Sequence, residues 1–532
     1  MTLFCSPAAE PLKIVDLPND ILGNIMSHLY GLAEQHDAHD IFLSTPTEDI
    51  KNVRLSCHNL SAPASRYLIE HVRVDVSLSS LSRFEKICEH PLIRHGVLGV
   101  EFCLAQYDDR FDSGIEGFKR FIRYHQYDLT FPWDSTPEVE HKARAVSQCW
   151  GTYLGILQAE GQALLGSFDE QFTSIQEFKN EWDTGYNGAL LEGYSLYRSH
   201  LHEQTSLQHD GFVARVSASM AKLPRAKHLK LTDWDTGRWG NQPGGFEYAR
   251  CRLDPSSNDS IVESLAKCRF PFKEIRGNTL LPLIPSLICT GTGITSLTIQ
   301  ISPSMHSCIA LSPSTSHEAE LNSSLRNLRS FRFENYGTST TNPWDEAPAV
   351  QPLGRFLNAC LISDNLESLT IHAKIQLPSL EESLFSPRFW PKLRSAVLGI
   401  LPASADDLDV LTRSLSSQPE GSLSLSSVYL YCGGTWARIL DMMRDRRIHA
   451  SLGSQCGAEF ETDPTMANGV FCKSRKDRDS FFPSFAECYV HGEDMPNPFL
   501  EPPGQEISDS SFEPVPDSEN NEEVEEVSDF QG

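Results

Sequence analysis

The stretch LESLTI, residues 366–371, has apolar residues at its first, fourth and sixth positions. Side chains alternate between the two sides of an extended chain, so Leu369 and Ile371 would share one face of a strand while Thr370 would point to the other. The pattern therefore predicts a half-buried strand. It recurs in four further copies and one looser one: ITSLTI at 294–299, LRSFRF at 328–333, LRSAVL at 393–398, LSSVYL at 425–430 and, more loosely, HLKL at 228–231.

The spacing of the copies indicates a repeated unit. From Ile299 to Leu430, successive last positions lie 34, 38, 27 and 32 residues apart, which is enough for a strand, a turn and a helix in each unit. One such unit cannot bury its apolar face alone, so the units must stack. The pattern resembles the inner strand of leucine-rich repeats, although the asparagine of the regular repeat is missing. The resemblance implies an irregular α/β solenoid over 223–445, a cap over 446–490, and a protein substrate that faces the intervening residues.

A short helix is predicted near the amino end, in IVDLPNDILGNIMSHL, residues 14–29. Pro18 suits the first turn of a helix because its missing N–H would have no partner there. Apolar residues then recur at helical spacing: Ile21, Leu22, Ile25, Met26 and Leu29. A helix of this length is marginal alone in water, so its apolar stripe must pack against something.

Two more short helices are predicted to follow. Thr45 and Glu48 have the spacing of a capping box, which would open a second helix that carries Ile50. Ser61 is the expected N-cap of a third helix that ends near Leu68. Three short helices therefore precede the first strand.

These residues together carry a second resemblance. Leu17-Pro18, the apolar stripe after them and DIKNVRLSCHNLSAPASRYL at 49–68 resemble the F-box, a three-helix module. The order of strand, helix and strand from HVRVDVS at 71–77 to VLGVEF at 97–102 is similar to the segment that follows the F-box in many fungal members. The resemblance implies that residues 15–75 dock onto the Skp-type adaptor of an SCF-type cullin-RING ubiquitin ligase. It also implies the adaptor-binding residues: Leu17, Pro18, Ile21, Ile25, Leu29, Val53 and Leu55.

Residues 76–222 are predicted to form a mainly helical linker together with the first repeat units. Apolar periodicity and the flanking turn residues favour helices from about Ser80 to Glu89, over 138–165 and over 207–223. The linker would join the docking module to the solenoid.

The charge of the chain limits its partners. Its 71 Asp+Glu against 45 Lys+Arg give a formal charge of -26, which would repel nucleic acid and anionic membranes. Thirteen of the acidic residues lie at 493–532, where there is no Lys or Arg, and residues 1–14 and 491–532 are therefore expected to be disordered. The acidic tail is interpreted either as a solvated extension or as a segment regulated by phosphorylation, with serines among its carboxylates that include Ser508, Ser510, Ser511 and Ser528.

The distribution of cysteine and of apolar residues indicates a reducing compartment. The 14 cysteines are scattered and include no C-x-x-C pair, and no apolar run is long enough to span a bilayer. The amino end has neither the basic start nor the apolar centre of a secretory signal. We therefore expect a cytoplasmic or nuclear protein that does not bind membranes.

The sequence contains no constellation typical of an enzyme. Phosphate-loop, nucleophile-elbow, zinc-protease and dinucleotide motifs are missing, so we expect no catalytic residue, no cofactor and no metal site. Two sets of candidate zinc ligands have unsuitable spacing or placement, and capping and packing explain them better: His202, Glu203 and His209; and Cys88, His90, His95 and Cys103.

Three hypotheses of function follow. The first is a non-catalytic substrate receptor that holds a protein substrate near the ubiquitin-conjugating machinery, so that catalysis is positional. The second is a repeat-based interaction scaffold with no role in ubiquitination. The third and weakest is a hydrolase, which would require a Ser or Cys within hydrogen-bond reach of a His.

Overall fold

The computed structural model describes about half of the chain: residues 17–18, 21–26, 48–104, 194–195, 197–207, 211–232, 277–289, 291, 293–301, 311, 313–335, 350–373, 388–431, 434–461, 470–471 and 483–499. Several predictions fall outside these residues: Leu29, the cap at Thr45, His209, the helix at 138–165, and the disorder of 1–14 and of 500–532.

A nine-stranded parallel sheet forms the centre of the described structure. Its strands are β1 (His71–Asp75), β2 (Gly99–Cys103), β3 (His228–Thr232), β4 (Ser296–Ile301), β5 (Ser330–Asn335), β6 (Ser368–Ala373), β7 (Ser395–Gly399), β9 (Ser422–Ser426) and β11 (His449–Leu452). They lie side by side in the order in which the chain forms them. Three short strands form a second parallel sheet in the order β12–β10–β8: β8 (Pro402–Ser404), β10 (Tyr429–Tyr431) and β12 (Cys456–Gly457). The predicted mixed α/β class is confirmed.

Helices precede the sheet and connect its strands. The described helices are α1 (21–26), α2 (Glu48–Ser56), α3 (His58–Ser65), α4 (Leu78–Glu89), α5 (197–207), α6 (Phe212–Met220), α7 (Gly277–Ile288), α8 (Thr315–Ser324), α9 (Val350–Cys360), α10 (Ala405–Leu415), α11 (Trp436–Asp445) and α12 (Phe485–Val490). Short 3₁₀ turns occur at Ile93–His95 and Ala458–Glu461. Neighbouring helices contact one another in chain order from α6 to α9 and from α10 to α12, so a helical layer accompanies the sheet.

The register of the sheet creates two continuous apolar rows. One consists of Val72, Val100, Leu229, Leu297, Phe331, Leu369, Ala396, Leu423 and Ala450, and the other of Val74, Phe102, Leu231, Ile299, Phe333, Ile371, Leu398, Leu425 and Leu452. All of these side chains are buried in one core with residues of the helices, such as Phe84 and Phe356. The strands predicted from alternation at 72–76, 97–102 and 228–231, and in four copies of the six-residue pattern, are confirmed.

The copy LSSVYL was predicted in the wrong register. Leu425, taken as its first position, pairs with Leu398 and is therefore its last apolar position in the main sheet. Ser427 has a φ of 54°, so the chain turns there and Leu430 enters β10 in the second sheet. The repeat interval therefore runs from Leu398 to Leu425 and is 27 residues, rather than the 32 residues from Leu398 to Leu430.

The last four strands of the main sheet repeat strictly. Their first residues are Ser368, Ser395, Ser422 and His449, which lie 27 residues apart, and the second sheet follows the same step. Ile400 occupies the corner that corresponds to Ser427 and also has a positive φ, 54°. A β-branched residue rarely adopts this conformation, so the corner is fixed by its surroundings rather than by local preference.

Some helix boundaries differ from the predictions. Ser61 is not an N-cap, because its amide donates to the carbonyl of Cys57 at 3.1 Å and so lies inside α3. The helix predicted over 207–223 is two helices, and Gly211, with a φ of 80°, precedes the second. The helix predicted from Ser80 begins two residues earlier and ends at Glu89 as expected, with Ser77 as its N-cap.

The described chain also extends past residue 491, where the disordered tail was predicted to begin. Phe499 packs against Phe460 and Phe471, at ring-centroid distances of 5.5 and 6.1 Å. Asn497 is buried and donates to the carbonyl of Ala437 at 2.9 Å. The aromatic contacts and the hydrogen bond to α11, which the acidic composition conceals, hold this segment in place.

Candidate functional site

The first candidate site is the group of helices α1, α2 and α3, which we call the amino-terminal cluster. Its core consists of Leu22, Met26, Ile50, Leu60 and Ala64, each at most 9% exposed. This core is separate from the core of the sheet. Five buried side chains among the residues that the structure describes are few, and helices of eight or nine residues are marginal alone. The cluster is therefore the least self-sufficient part of the described fold.

The seven predicted docking residues divide into three groups. Leu17, Ile25 and Val53 are half-buried and pack against the cluster's core. Pro18 is exposed, Ile21 is 45% exposed and Leu55 is 78% exposed. Leu29 lies outside the described residues. The residues that support the cluster from within, Leu22, Met26 and Ile50, belong to the stripes that the sequence predicted but not to the predicted docking set.

Arg66 and Tyr67 join the cluster to the sheet. The Tyr67 hydroxyl donates to the carbonyl of Gly23 in α1 at 3.2 Å, and the Arg66 guanidinium lies 5.2 Å from the Tyr67 ring centroid. A Cβ on Gly23 would lie 2.0 Å from an Arg66 guanidinium nitrogen, and one on Gly96 would lie 1.6 Å from the Arg66 carbonyl oxygen. Gly96 is therefore required for the approach of the Arg66 backbone, whereas the flexible Arg66 side chain could move away from a Cβ at Gly23. Sequence reasoning missed this junction, because nothing in a lone glycine predicts which backbone approaches it.

The second candidate site is the side of the sheet opposite the apolar rows, which we call the polar face. Its rows in register are His71, Gly99, His228, Ser296, Ser330, Ser368, Ser395, Ser422 and His449; then Arg73, Glu101, Lys230, Thr298, Arg332, Thr370, Val397, Ser424 and Ser451; and then Asp75, Cys103, Thr232, Gln300, Glu334, His372, Gly399 and Ser426. Charged residues lie on β1–β3 and β5, whereas β6, β7, β9 and β11 present hydroxyls, glycine, valine and histidine.

The charges of the polar face are paired within it. The Lys230 ammonium lies 3.4 Å from the Glu101 carboxylate, with both side chains about 10% exposed. Arg332 forms an ion pair with Glu334, whose carboxylate also accepts from the Gln300 amide at 2.5 Å. A buried charge is tolerated only when it is paired in this way. The first five strands therefore offer a neutralised surface, and much of β2 and β3 is buried on both sides.

The polar face is most accessible at its last two strands, where Ser426 and His449 are exposed. Ser395, Val397, Ser422 and Ser424 are half-buried, and Ser451 is exposed. Side chains this small leave the backbone of the sheet close to the surface, which permits close approach by another chain. Among the described strands, β9 and β11 therefore present the most open part of the polar face.

A group of titratable side chains lies at the amino end of β1. Burial raises the pKa of Glu70 to about 7, although Arg225 opposes this effect. Burial lowers the pKa of His71 to about 4, and the nearby charges of His228 and Lys230 lower it further. Both shifts favour the neutral forms. Burial therefore disfavours the charged forms of Glu70 and His71 at the junction between the amino-terminal cluster and the sheet.

The candidate zinc ligands have structural roles where they are described. The Glu203 carboxylate accepts from the backbone N–H of Leu78 at the start of α4. His90 Nδ1 accepts from the amides of Leu92 and Ile93 at 3.3 Å, and burial raises the pKa of the Cys88 thiol to about 12. Among the described residues, no three side chains of His, Cys, Asp or Glu converge in a way that suits a metal ion.

Comparison with known proteins adds no assignment: the sequence matches no model of a protein family, and a search of curated proteins finds no significant match. In the described part of the chain, every helix is too short or too polar to cross a lipid bilayer.

Proposed function

We propose that this chain is the substrate receptor of an SCF-type cullin-RING ubiquitin ligase. In this proposal the amino-terminal cluster is an F-box that docks onto a Skp-type adaptor, and the sheet with its helices is a leucine-rich-repeat-like solenoid that binds a protein substrate. No residue of the chain takes part in chemistry. The chain raises the local concentration of a substrate lysine near a thioester that another protein carries.

The exposure of Ile21 and Leu55 carries the proposal. Both lie on short helices whose described core is small and separate from that of the sheet, and both side chains remain exposed. A fully buried Leu or Ile side chain contributes about 1.5–3 kcal/mol relative to an exposed one, before the entropic cost of association. A partner that covers them would both stabilise the cluster and bind tightly.

The strand order supports the solenoid part of the proposal. Parallel strands that follow one another in chain order, with helices in most of the described connections, are what stacked repeats produce. The strict 27-residue step from Ser368 to His449 supports it further. The substrate would contact the polar face of β6, β7, β9 and β11, because that part of the sheet is accessible and its own charges do not compete for hydrogen bonds.

Affinity capture of the full chain from cells treated with a proteasome inhibitor tests the proposal. We expect a Skp-type adaptor and a cullin among the captured proteins. Leu17→Ala combined with Pro18→Ala should remove the adaptor while circular dichroism stays that of the wild type. A folded chain that captures neither protein would refute the proposal.

A second function is favoured by one observation. The sheet has a complete core that includes no residue of the amino-terminal cluster, so it would fold and bind a partner without an adaptor. The chain would then be an interaction scaffold with no role in ubiquitination. Capture of one partner through the polar face, with no adaptor in any preparation, would favour this function.

A further inference from the structure

A groove at the carboxyl end of the fold is rich in basic side chains. It has a volume of about 480 Å³ and lies between the end of α11, strand β11 and the end of α12. Its floor is formed by Ile448 and Val490, which are buried. Its other side chains are those of Arg444, Arg447, His449 and His491, and none of the lining residues is acidic.

Three of these side chains are exposed and face the groove. The rings of His449 and His491 stack at 5.0 Å with an interplanar angle of 16°. The Arg447 side chain has no hydrogen bond or ion pair with the described residues, whereas the neighbouring Arg446 binds the Asp409 carboxylate at 2.6 Å. The groove therefore contains a guanidinium whose charge nothing in the described chain neutralises.

Helix termini explain only part of this arrangement. Basic side chains often lie at the carboxyl ends of helices, where they compensate the negative end of the helix dipole. Arg444 lies in the last turn of α11 and is also held by other contacts, since it donates to the carbonyls of Glu493 and Met495 at 3.3 and 3.2 Å and lies over the Tyr489 ring. Arg447 lies beyond the last residue of α11 and makes no such bond.

The Glu493 carboxylate has another neighbour. Glu493 follows the groove in the chain, but its carboxylate lies beside the thiol of Cys488, whose pKa is raised by burial and then by Glu493. A ligand for the groove must therefore bring its own negative charge.

The chain itself contains a negatively charged segment that could be this ligand. Residues 501–532 contain eleven Asp or Glu and no Lys or Arg. They begin just after Phe499, which is held against Phe460 and Phe471, while Asn497 is bound to Ala437 in the first turn of α11. The ten residues of α11 span about 15 Å, a distance that about five extended residues cover.

We propose that this groove binds the acidic segment 501–532 of the same chain through salt-sensitive contacts. The short tether gives the segment a local concentration on the order of millimolar, so weak pairs suffice for binding. Each exposed ion pair contributes little alone, and several together would be screened by salt. Phosphorylation of Ser508, Ser510 or Ser511 would add charge to the segment and strengthen the contact.

Carbodiimide crosslinking of the full chain tests this proposal. Arg447→Lys places a reactive amine in the groove, and Arg438→Lys, an exposed position in the first turn of α11, is the matched control. Arg438 lies next to Ala437, where the chain that leads into the acidic segment is attached. Crosslinking through proximity alone would therefore give more product from the control variant than from Arg447→Lys. We expect at least about fivefold more crosslinks to carboxylates of 505–532 from Arg447→Lys, and we expect this excess to disappear in 1 M NaCl, where the Debye length is about 3 Å.

Two results would overturn the proposal. One is an equal yield of crosslinks from the two variants, or a yield that does not depend on salt. The other is crosslinking mainly between chains in a mixture of isotopically labelled and unlabelled protein, because the ligand would then be a second copy. As a second measurement, Arg447→Glu should increase cleavage of 505–532 by a glutamate-specific protease severalfold, whereas Arg438→Glu should leave it unchanged.

Discussion

The amino-terminal cluster and the parallel sheet bury their apolar side chains to very different extents. In the sheet, each strand from β2 to β9 has a paired strand on both sides, and the apolar rows lie fully inside one large core. In the described part of the cluster, five residues are buried and Leu55 is 78% exposed. The sheet is therefore expected to be stable by itself, whereas the cluster gains stability from whatever covers it. The predictions below test this difference.

The largest effect is expected in the centre of the sheet. Phe333 in β5 is fully buried and its ring lies 6.4 Å from that of Phe356. Phe333→Ala should lower the free energy of unfolding by about 3–5 kcal/mol, because it removes a large side chain and leaves a cavity. Urea unfolding measures this change. Ser330→Ala, on the polar face of the same strand, should change it by less than about 0.5 kcal/mol. Equal losses at both positions would contradict the burial described for this strand.

A comparable substitution in the cluster should act locally. Ile50 is 1% exposed and belongs to the small core. Ile50→Ala should lower the free energy of opening the cluster by about 2–5 kcal/mol. Hydrogen exchange should then accelerate at the amides of α2 and α3 and stay unchanged in β4–β6, because the two cores are separate. If exchange accelerated equally in the sheet, the two regions would form one cooperative unit.

Glu70, at the junction of the two regions, predicts a pH dependence. Its pKa is about 7 in the folded protein against 4.5 when unperturbed, so the folded state retains a proton that the unfolded state releases between those values. Ionisation of Glu70 therefore lowers stability as the pH rises from 4.5 to 7. Glu70→Gln removes this loss and should raise the free energy of unfolding at pH 8 by up to about 3 kcal/mol, with no gain at pH 4.

His71 contributes a pH dependence of stability with the opposite sign to that of Glu70. The effect of Glu70 must therefore be measured as the difference between Glu70→Gln and the wild type at each pH. Its lowered pKa makes the unfolded state take up a proton between pH 6.5 and 4, so its contribution to stability falls as the pH falls through that range. Urea unfolding at several pH values separates the two groups. A Glu70→Gln effect that is the same at pH 4 and pH 8 would show that Glu70 is not perturbed by burial.

A smaller effect is expected at the contact between the two regions. Gly96→Ala would place a Cβ 1.6 Å from the Arg66 carbonyl oxygen, so the backbone must shift. We expect a loss of about 1–3 kcal/mol, measured by urea unfolding. Gly293→Ala is the matched control, since its Cβ would have nothing within 4 Å. Similar losses from both variants would mean that the loss of a glycine, and not the close approach of Arg66, is responsible.

The smallest effect on stability is expected at Leu55. Leu55→Gln removes an exposed apolar side chain from α2 and should change the free energy of unfolding of the isolated chain by less than about 0.5 kcal/mol. Thermal unfolding measures it. A clear loss of stability would mean that Leu55 is covered by the chain itself, which would remove the main support for docking.

The sequence predicts the strands of this fold better than their register. Alternation located the strands around Leu297, Phe331 and Leu369, because one face of each strand is buried and the other is polar. It failed at 425–430, because SLSL and VYL both satisfy the apolar pattern and only the turn at Ser427 separates them. The strict 27-residue step from Leu398 would have indicated the correct register.

The candidate site was predicted less completely. Helical spacing identified the stripe of α1 but could not separate Leu22, which is buried, from Ile21, which is exposed, since both lie within one broad apolar face. The approach of Arg66 to Gly23 and Gly96 depends on tertiary structure alone. So does the burial of Glu70 beside His71, because nothing in a Glu-His pair predicts the loss of water around it.

Binding of the purified chain to a purified Skp-type adaptor tests the central claim most directly. The double variant Ile21→Gln with Leu55→Gln should raise the dissociation constant by about ten- to a hundredfold, because two apolar contacts are lost. Isothermal titration calorimetry measures this constant. Phe389→Gln, at a position 48% exposed next to β7, should bind like the wild type. Wild-type affinity in the double variant, or no binding by the wild-type chain, would contradict the account.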